Sequence, residues 1–184
     1  KVFLGLRELY SKGVFLMEKN KIQFLTRTAI IAAAYAALTY AFAFMSYGEV
    51  QFRISEILVL LVFIEPKYGL GLILGCILAN IASPLGVIDI VVGSFATFLA
   101  IAYITALRKV LPYSKKSLAI ASLGPVISNA LLVGMELTYL FNTPFLLNAL
   151  YVAIGEFVVV TIAGTVVVST IMKNNNLIEK LIFN

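Results

Sequence analysis

Five carboxylates of this sequence lie in or beside apolar runs: Glu49, Glu56, Asp89, Glu136 and Glu156. A carboxylate at the centre of a membrane-spanning helix costs on the order of 2.5 to 3.5 kcal/mol, so several in one small bundle require a cation, a proton or water. Arg53 is the one cation near them, and Glu56, three residues on, is its natural partner on a helix face. Asp89, Glu136 and Glu156 have no such partner in the sequence. Amides fall at similar depth: Asn80, Asn129 seven residues before Glu136, and Asn148 ahead of Glu156. Carboxylates accept hydrogen bonds from N–H groups and balance a positive charge, and amides can do both jobs for neutral groups. Together they outline a polar, net negative cavity.

Each residue also has a purely structural reading. An Asn in a membrane helix is often interhelical glue. Asp89 follows a Pro-Leu-Gly turn, where a carboxylate caps free amides and suits the helix dipole. Arg53 and Glu56 can brace a loop. Glu136 and Glu156 have no comparable structural role and are the strongest candidates.

The absences exclude other chemistry. With no His and a single Cys, Cys76, neither a His/Cys metal site nor an intrachain disulfide can be assembled. No G-x-x-x-x-G-K-[ST] phosphate loop occurs, so ATP hydrolysis by that route is not expected of this chain. No catalytic role, metal or cofactor is predicted.

The elements that must position these groups are apolar helices. Of the 184 residues 61% are hydrophobic and 12% charged, against roughly 45 to 50% and about 25% in a soluble domain. An all-α integral membrane protein follows, with little mass outside the bilayer. Six spans are read: Thr28 to Ser46, a short second one through Ile54 to Ile64, Tyr68 to Ser83, Asp89 to Leu107, Ser117 to Phe141 and Phe145 to Met172. Pro84-Leu85-Gly86 and Asn142-Thr143-Pro144 are turns, and Gly124-Pro125 predicts a kink. The second span is too short to cross unaided, so its outer end is expected to sit in protein. Residues 27–172 form the membrane domain, 1–26 a cytoplasmic N-terminal segment and 173–184 a cytoplasmic tail. The start of the chain reads either as an interfacial helix or as sequence upstream of a natural start at Met17.

Cations set orientation, because short loops rich in Lys and Arg stay on the cytoplasmic side. With both termini inside, 13 of the 14 cations are inner and only Arg53 is outer; the inner segments then carry +9 and the remainder −4. The predicted cavity therefore opens outward. On the first span, Ala29, Ala33 and Ala37 recur every four residues, with Ala32 and Ala36 as a second row. Small-residue stripes let helices approach closely, within a bundle or against a partner.

Several segments resemble, in order and spacing, those of the QueT family: Val50-Gln51-Phe52-Arg53-Ile54-Ser55-Glu56, Gly75 to Asn80, Asp89 to Thr97, Asn129 to Leu137 and Gly155-Glu156. The resemblance runs from about Met17 to Met172, and the extension before Met17 departs from it. It implies a substrate-binding S component of an energy-coupling factor (ECF) transporter, a six-helix bundle in the bacterial plasma membrane that captures a queuosine precursor such as 7-aminomethyl-7-deazaguanine. It also implies partners, a membrane coupling subunit and two cytosolic ATPases, with no nucleic acid bound. The alanine rows would then be the docking surface. On this reading two of Glu136, Glu156 and Asp89 grip the ligand, and Asn80, Asn129 and Asn148 orient it by donating to its ring carbonyl and ring nitrogen. Gln51-Phe52-Arg53 forms a lid near Glu56, and rings such as Tyr47, Phe52, Tyr139 or Tyr151 stack on the base. The alternative is a proton- or sodium-coupled secondary transporter or channel for a small cationic solute, with Glu136 and Glu156 as coupling acids.

Overall fold

A computed structural model describes residues 2–47 and 50–183, apart from the side chains of residues 2–17 and Lys19. Glu49 lies outside the described residues, as do the side chains on which the two readings of the N-terminal segment depend. Among the described residues every regular element is helical: α1 (Val2–Ala41), α2 (Ile54–Ile64), α3 (Gly69–Asn80), α4 (Val87–Val110), α5 (Lys115–Phe141), α6 (Phe145–Met172) and α7 (Asn175–Leu181).

Four stretches are long and apolar enough to cross a membrane: Asn20–Ala41 of α1, α4, α5 and α6. The helix breakers act where the sequence places them. Pro66, Pro84 and Pro144 stand between elements, Gly86 takes φ +74° ahead of α4, and Asn142 closes α5 in the left-handed region at φ +53°. The predicted kink falls at Ser122, between helical stretches Lys115–Ala121 and Leu123–Phe141.

Two elements depart from plain α-helix. α2 is a 3₁₀ helix over Ile54–Leu60 and becomes α-helical only for Leu61–Ile64. It forms the centre of the bundle: Val59, Leu60, Val62 and Phe63 are fully buried, in one cluster with Tyr35, Leu72, Cys76, Ile104, Leu118 and Val160. An apolar stretch this short suits a core helix rather than a lipid-facing one, and most of it is enclosed by protein, with Ile54, Ile57 and Leu58 partly exposed. Its C-terminal carbonyls on Phe63 and Ile64 accept bonds from Arg108 Nε and Nη2, each 2.9 Å long, which suits a cation at the negative end of a helix. In α6, Phe157–Gly164 is π-helical, starting directly after Glu156.

α3 lies against α1 through Gly71 and Gly75; a β-carbon on Gly75 would stand 2.7 Å from Tyr35 Cβ and 3.0 Å from the Ala32 carbonyl. At one end of the bundle the last residues fold back: Arg27 Nη1 donates to the carbonyls of Leu181 and Ile182 (3.1 and 3.0 Å), Tyr68 Oη donates to that of Leu181 (2.8 Å), and Arg27 and Lys67 flank the Phe183 ring. The tail predicted after Met172 is thus a packed helix. Beyond the far end of α1, Tyr47 and the turns at Pro84 and Asn142 mark the other end of the bundle.

Candidate functional site

Arg53 enters the bundle on a tight loop. Its own N–H bonds to the Gln51 carbonyl at 3.0 Å, and its carbonyl receives the Glu56 N–H at 3.0 Å, starting α2. Gln51 is held at φ +46°, a left-handed conformation that costs energy for a residue with a β-carbon. The loop lies on α6 at Gly155, where any β-carbon would run into the carbonyls of Val50 and Gln51. A glycine is required there for the loop to approach, one residue before Glu156.

The acids gather around this loop. Glu56 is 1% exposed; Tyr35 Oη donates to its Oε1, while Oε2 has no protein partner. Beside it Thr39 and Ser55 hydroxyls pair at 2.7 Å. Asp89 sits in the first turn of α4, its carbonyl accepting Asn80 Nδ2 at 2.9 Å and both carboxyl oxygens buried without a partner. It therefore caps nothing, contrary to its structural reading. Both carboxyl oxygens of Glu136 and Oε2 of Glu156 are likewise buried and unpartnered, and the Asn129 amide lies beside Glu156. The Asp89 charge acts on Glu136 and that of Glu56 on Glu156; Arg53 acts on both of these, and feels Glu56 and Asp89 in turn. One guanidinium thus lies within electrostatic reach of four carboxyl groups.

A cavity of about 620 Å³ opens at the end of the bundle away from the folded-back tail, between Tyr47, Leu85, Leu137, Asn148 and Tyr151 among others. Its size is that of a small-molecule site, which runs about 300 to 1,000 Å³. Tyr47 joins it to the acids: its hydroxyl donates to the Ala79 carbonyl at 2.6 Å, and Arg53 Cζ lies 5.7 Å from its ring centroid, within cation–π range. Leu137, next to Glu136, forms part of the wall.

The remaining sequence candidates divide. Tyr151 and Asn148 line the cavity, but both hydrogens of the Asn148 amide go to Thr138 and Thr143 hydroxyls at 2.9 and 2.8 Å. Tyr139 is 75% exposed and cannot stack on anything in the site, because its position on α5 points away from the neighbouring helices. Phe52 packs on the apolar core, and Gln51 is buried in the loop. Ala32 and Ala36 are covered by packing within the bundle, which removes them from any docking surface; Ala29, Ala33 and Ala37 stay exposed. Tyr35, Thr39 and Gly155 were missed. The signal for Tyr35 was present, since a tyrosine in an apolar membrane helix needs a partner for its hydroxyl. Among the described residues no cluster of three or more His, Cys, Asp or Glu could hold a metal ion.

Long apolar helices, a cavity open at one end of the bundle and a set of buried carboxyl groups, none of which lines that cavity, mark a multi-pass membrane protein. The sequence pattern of the QueT transporter family matches residues 25–173. The queuosine precursor transporter QueT of Lactococcus lactis subsp. cremoris (strain MG1363) is 32% identical over 149 residues, which cover 77% of this chain and 88% of that protein. The chain belongs to the QueT transporter family. No solved structure matches it significantly.

Proposed function

We propose that this chain is the membrane-embedded substrate-binding subunit of an ECF-type importer, taking up a queuosine precursor, with 7-aminomethyl-7-deazaguanine as the best-fitting ligand. The observation that carries this reading is the imbalance of buried, unpartnered polar atoms. Seven are carboxyl or amide oxygens, namely Glu56 Oε2, Asn80 Oδ1, Asp89 Oδ1 and Oδ2, Glu136 Oε1 and Oε2 and Glu156 Oε2, against two nitrogen donors, Nε and Nη2 of Arg53. Buried polar groups are nearly always satisfied, so the complement of this site is rich in N–H donors, poor in acceptors and positively charged.

The aminomethyl compound has that inventory. A ring N–H and an exocyclic amine stand side by side, a pyrrole N–H and a protonated aminomethyl group add further donors, and an oxo group and one ring nitrogen are its acceptors. A carboxylate takes the paired donors in two charge-assisted bonds, and a second carboxylate faces the ammonium. The similarity to the Lactococcus queuosine precursor transporter supports the same substrate class.

In this proposal six segments cross the bacterial plasma membrane, α2 and α3 being the short ones, with both termini cytoplasmic and the cavity facing out. The exposed row Ala29, Ala33 and Ala37 then meets a membrane coupling subunit, whose two ATPases supply the energy. Calorimetric titration of the detergent-solubilised chain tests the reading: tight binding of 7-aminomethyl-7-deazaguanine with weak binding of guanine supports it, and no binding of either refutes it. Uptake by the chain alone that collapses with an uncoupler would instead identify an ion-coupled transporter.

A further inference from the structure

The site holds many acceptors and few donors, and tracing the donors leads to one residue. Asparagines are the usual readers of a ring carbonyl, yet two of the three here have their hydrogens engaged, and the third, Asn129, lies against Glu156. Asn80 Nδ2 donates to the Asp89 carbonyl at 2.9 Å and faces Cys76 Sγ at 3.6 Å. Asn148 Nδ2 serves two threonine hydroxyls. An amide has only two N–H hydrogens, so neither residue has a good donor left for a ligand. Asn80 keeps only its Oδ1 free, which is an acceptor.

Arg53 is the reverse case. The residue is 5% exposed, and its unpartnered Nε and Nη2 are the only buried nitrogen donors without a partner among the described residues. These two atoms share one edge of the guanidinium plane, so their N–H bonds run parallel and can meet an acceptor as a fork. The group is also held in place. The Gln51 turn sets its backbone, Gly155 lets the loop seat, and the Tyr47 ring, anchored through its hydroxyl, lies under Cζ and lines the cavity.

We propose that Arg53 is a specificity-determining residue: its Nε–Nη2 edge reads the oxo group of the ligand's six-membered ring and excludes rings that carry an amino group there. This rests on the 7-deazaguanine reading above and assigns to Arg53 the task that residue types alone give to the asparagines. An amino group at that position points hydrogens at hydrogens and leaves two buried donors unpaired, and sites built on a buried hydrogen bond discriminate strongly against such mismatches.

The test is titration of the solubilised full chain with two probes, 7-aminomethyl-7-deazaguanine and its 2,6-diamino analogue, in which an amino group replaces the oxo group and the adjacent ring N–H becomes an acceptor nitrogen, so the share of the preference that belongs to Arg53 is the part its substitution removes. The wild type is expected to prefer the oxo compound by about 100-fold or more. In Arg53→Gln, whose side-chain amide can offer either a donor or an acceptor, the preference should shrink by about tenfold or more, whereas Arg53→Lys keeps part of it. Wild-type binding of both probes within threefold overturns the assignment and leaves the transport reading standing. Equal weakening of both probes in Arg53→Gln and Arg53→Lys overturns it too, since the residue would then contribute charge alone. Failure of the wild type to bind either probe refutes the functional reading and this inference with it.

Discussion

Replacing Gly155 by alanine is the sharpest perturbation the structure offers, because it acts on the Arg53 loop without removing a polar group. The added methyl would collide with the Val50 carbonyl, stand 2.8 Å from the Gln51 carbonyl oxygen and 3.1 Å from its carbon. All three are backbone atoms, so no side chain can swing aside. Gln51 already occupies a left-handed conformation at φ +46°, which leaves the turn little freedom to absorb the push. The loop must lift by roughly the missing contact distance, on the order of 1 Å, at an overpacking cost of about 1 to 3 kcal/mol.

Arg53 moves with that loop, and a fork of two hydrogen bonds does not survive an ångström of displacement. Losing it should weaken the ligand about 10- to 100-fold, each tenfold being about 1.4 kcal/mol. Binding is read by calorimetry, stability by thermal unfolding in detergent. Gly69→Ala is the control: its methyl meets only the Ile101 side chain, 2.9 Å away at Cγ2, so any loss of stability should come without loss of affinity. If Gly155→Ala binds the ligand as tightly as wild type, the loop does not position Arg53 and the reasoning fails.

Glu136→Gln should weaken the aminomethyl ligand at least tenfold yet raise the melting temperature of the ligand-free protein, because it removes an unpartnered buried carboxylate; a fall in both quantities would show a structural role instead. Tyr35→Phe leaves Glu56 Oε1 without its donor and should destabilise the protein by about 1 to 3 kcal/mol, measured by thermal unfolding; an unchanged melting temperature would show the bond to be dispensable. Ala33→Phe, on the exposed row, should leave ligand titrations unaltered while abolishing uptake in cells that supply the coupling module, and normal uptake would exclude this face as the docking surface.

The parts of this structure legible in the sequence are those fixed by local chemistry. Proline and glycine placed the turns, apolar length placed the long helices, and the lack of charge elsewhere in such helices marked Glu56, Asp89, Glu136 and Glu156, which are buried. What escaped depends on direction, which only tertiary packing decides. Tyr139 and Tyr151 look equivalent as aromatic residues on apolar helices, yet one faces outward and the other lines the cavity. The Asn80 and Asn148 amides looked free until Asp89, Thr138 and Thr143 were found at their hydrogens. The enclosed position of α2 was half visible in its shortness, but its 3₁₀ winding was not, since Ile54–Leu60 carries no residue that distinguishes the two helix types.

The π-helical stretch in α6 puts the two halves of that helix out of phase. With i to i+5 bonding over Phe157–Gly164, the backbone turns less per residue than an α-helix does, so Phe145–Glu156 and Thr165–Met172 face different neighbours than a uniform helix would allow. The upper half can turn Glu156 toward Arg53 while the lower half keeps Val168 in the apolar core. A one-residue deletion within the stretch would rewind the helix and rotate one half against the other by about 100°. The region therefore tolerates changes of side chain far better than changes of length, and in relatives of this chain insertions and deletions there should be rarer than substitutions.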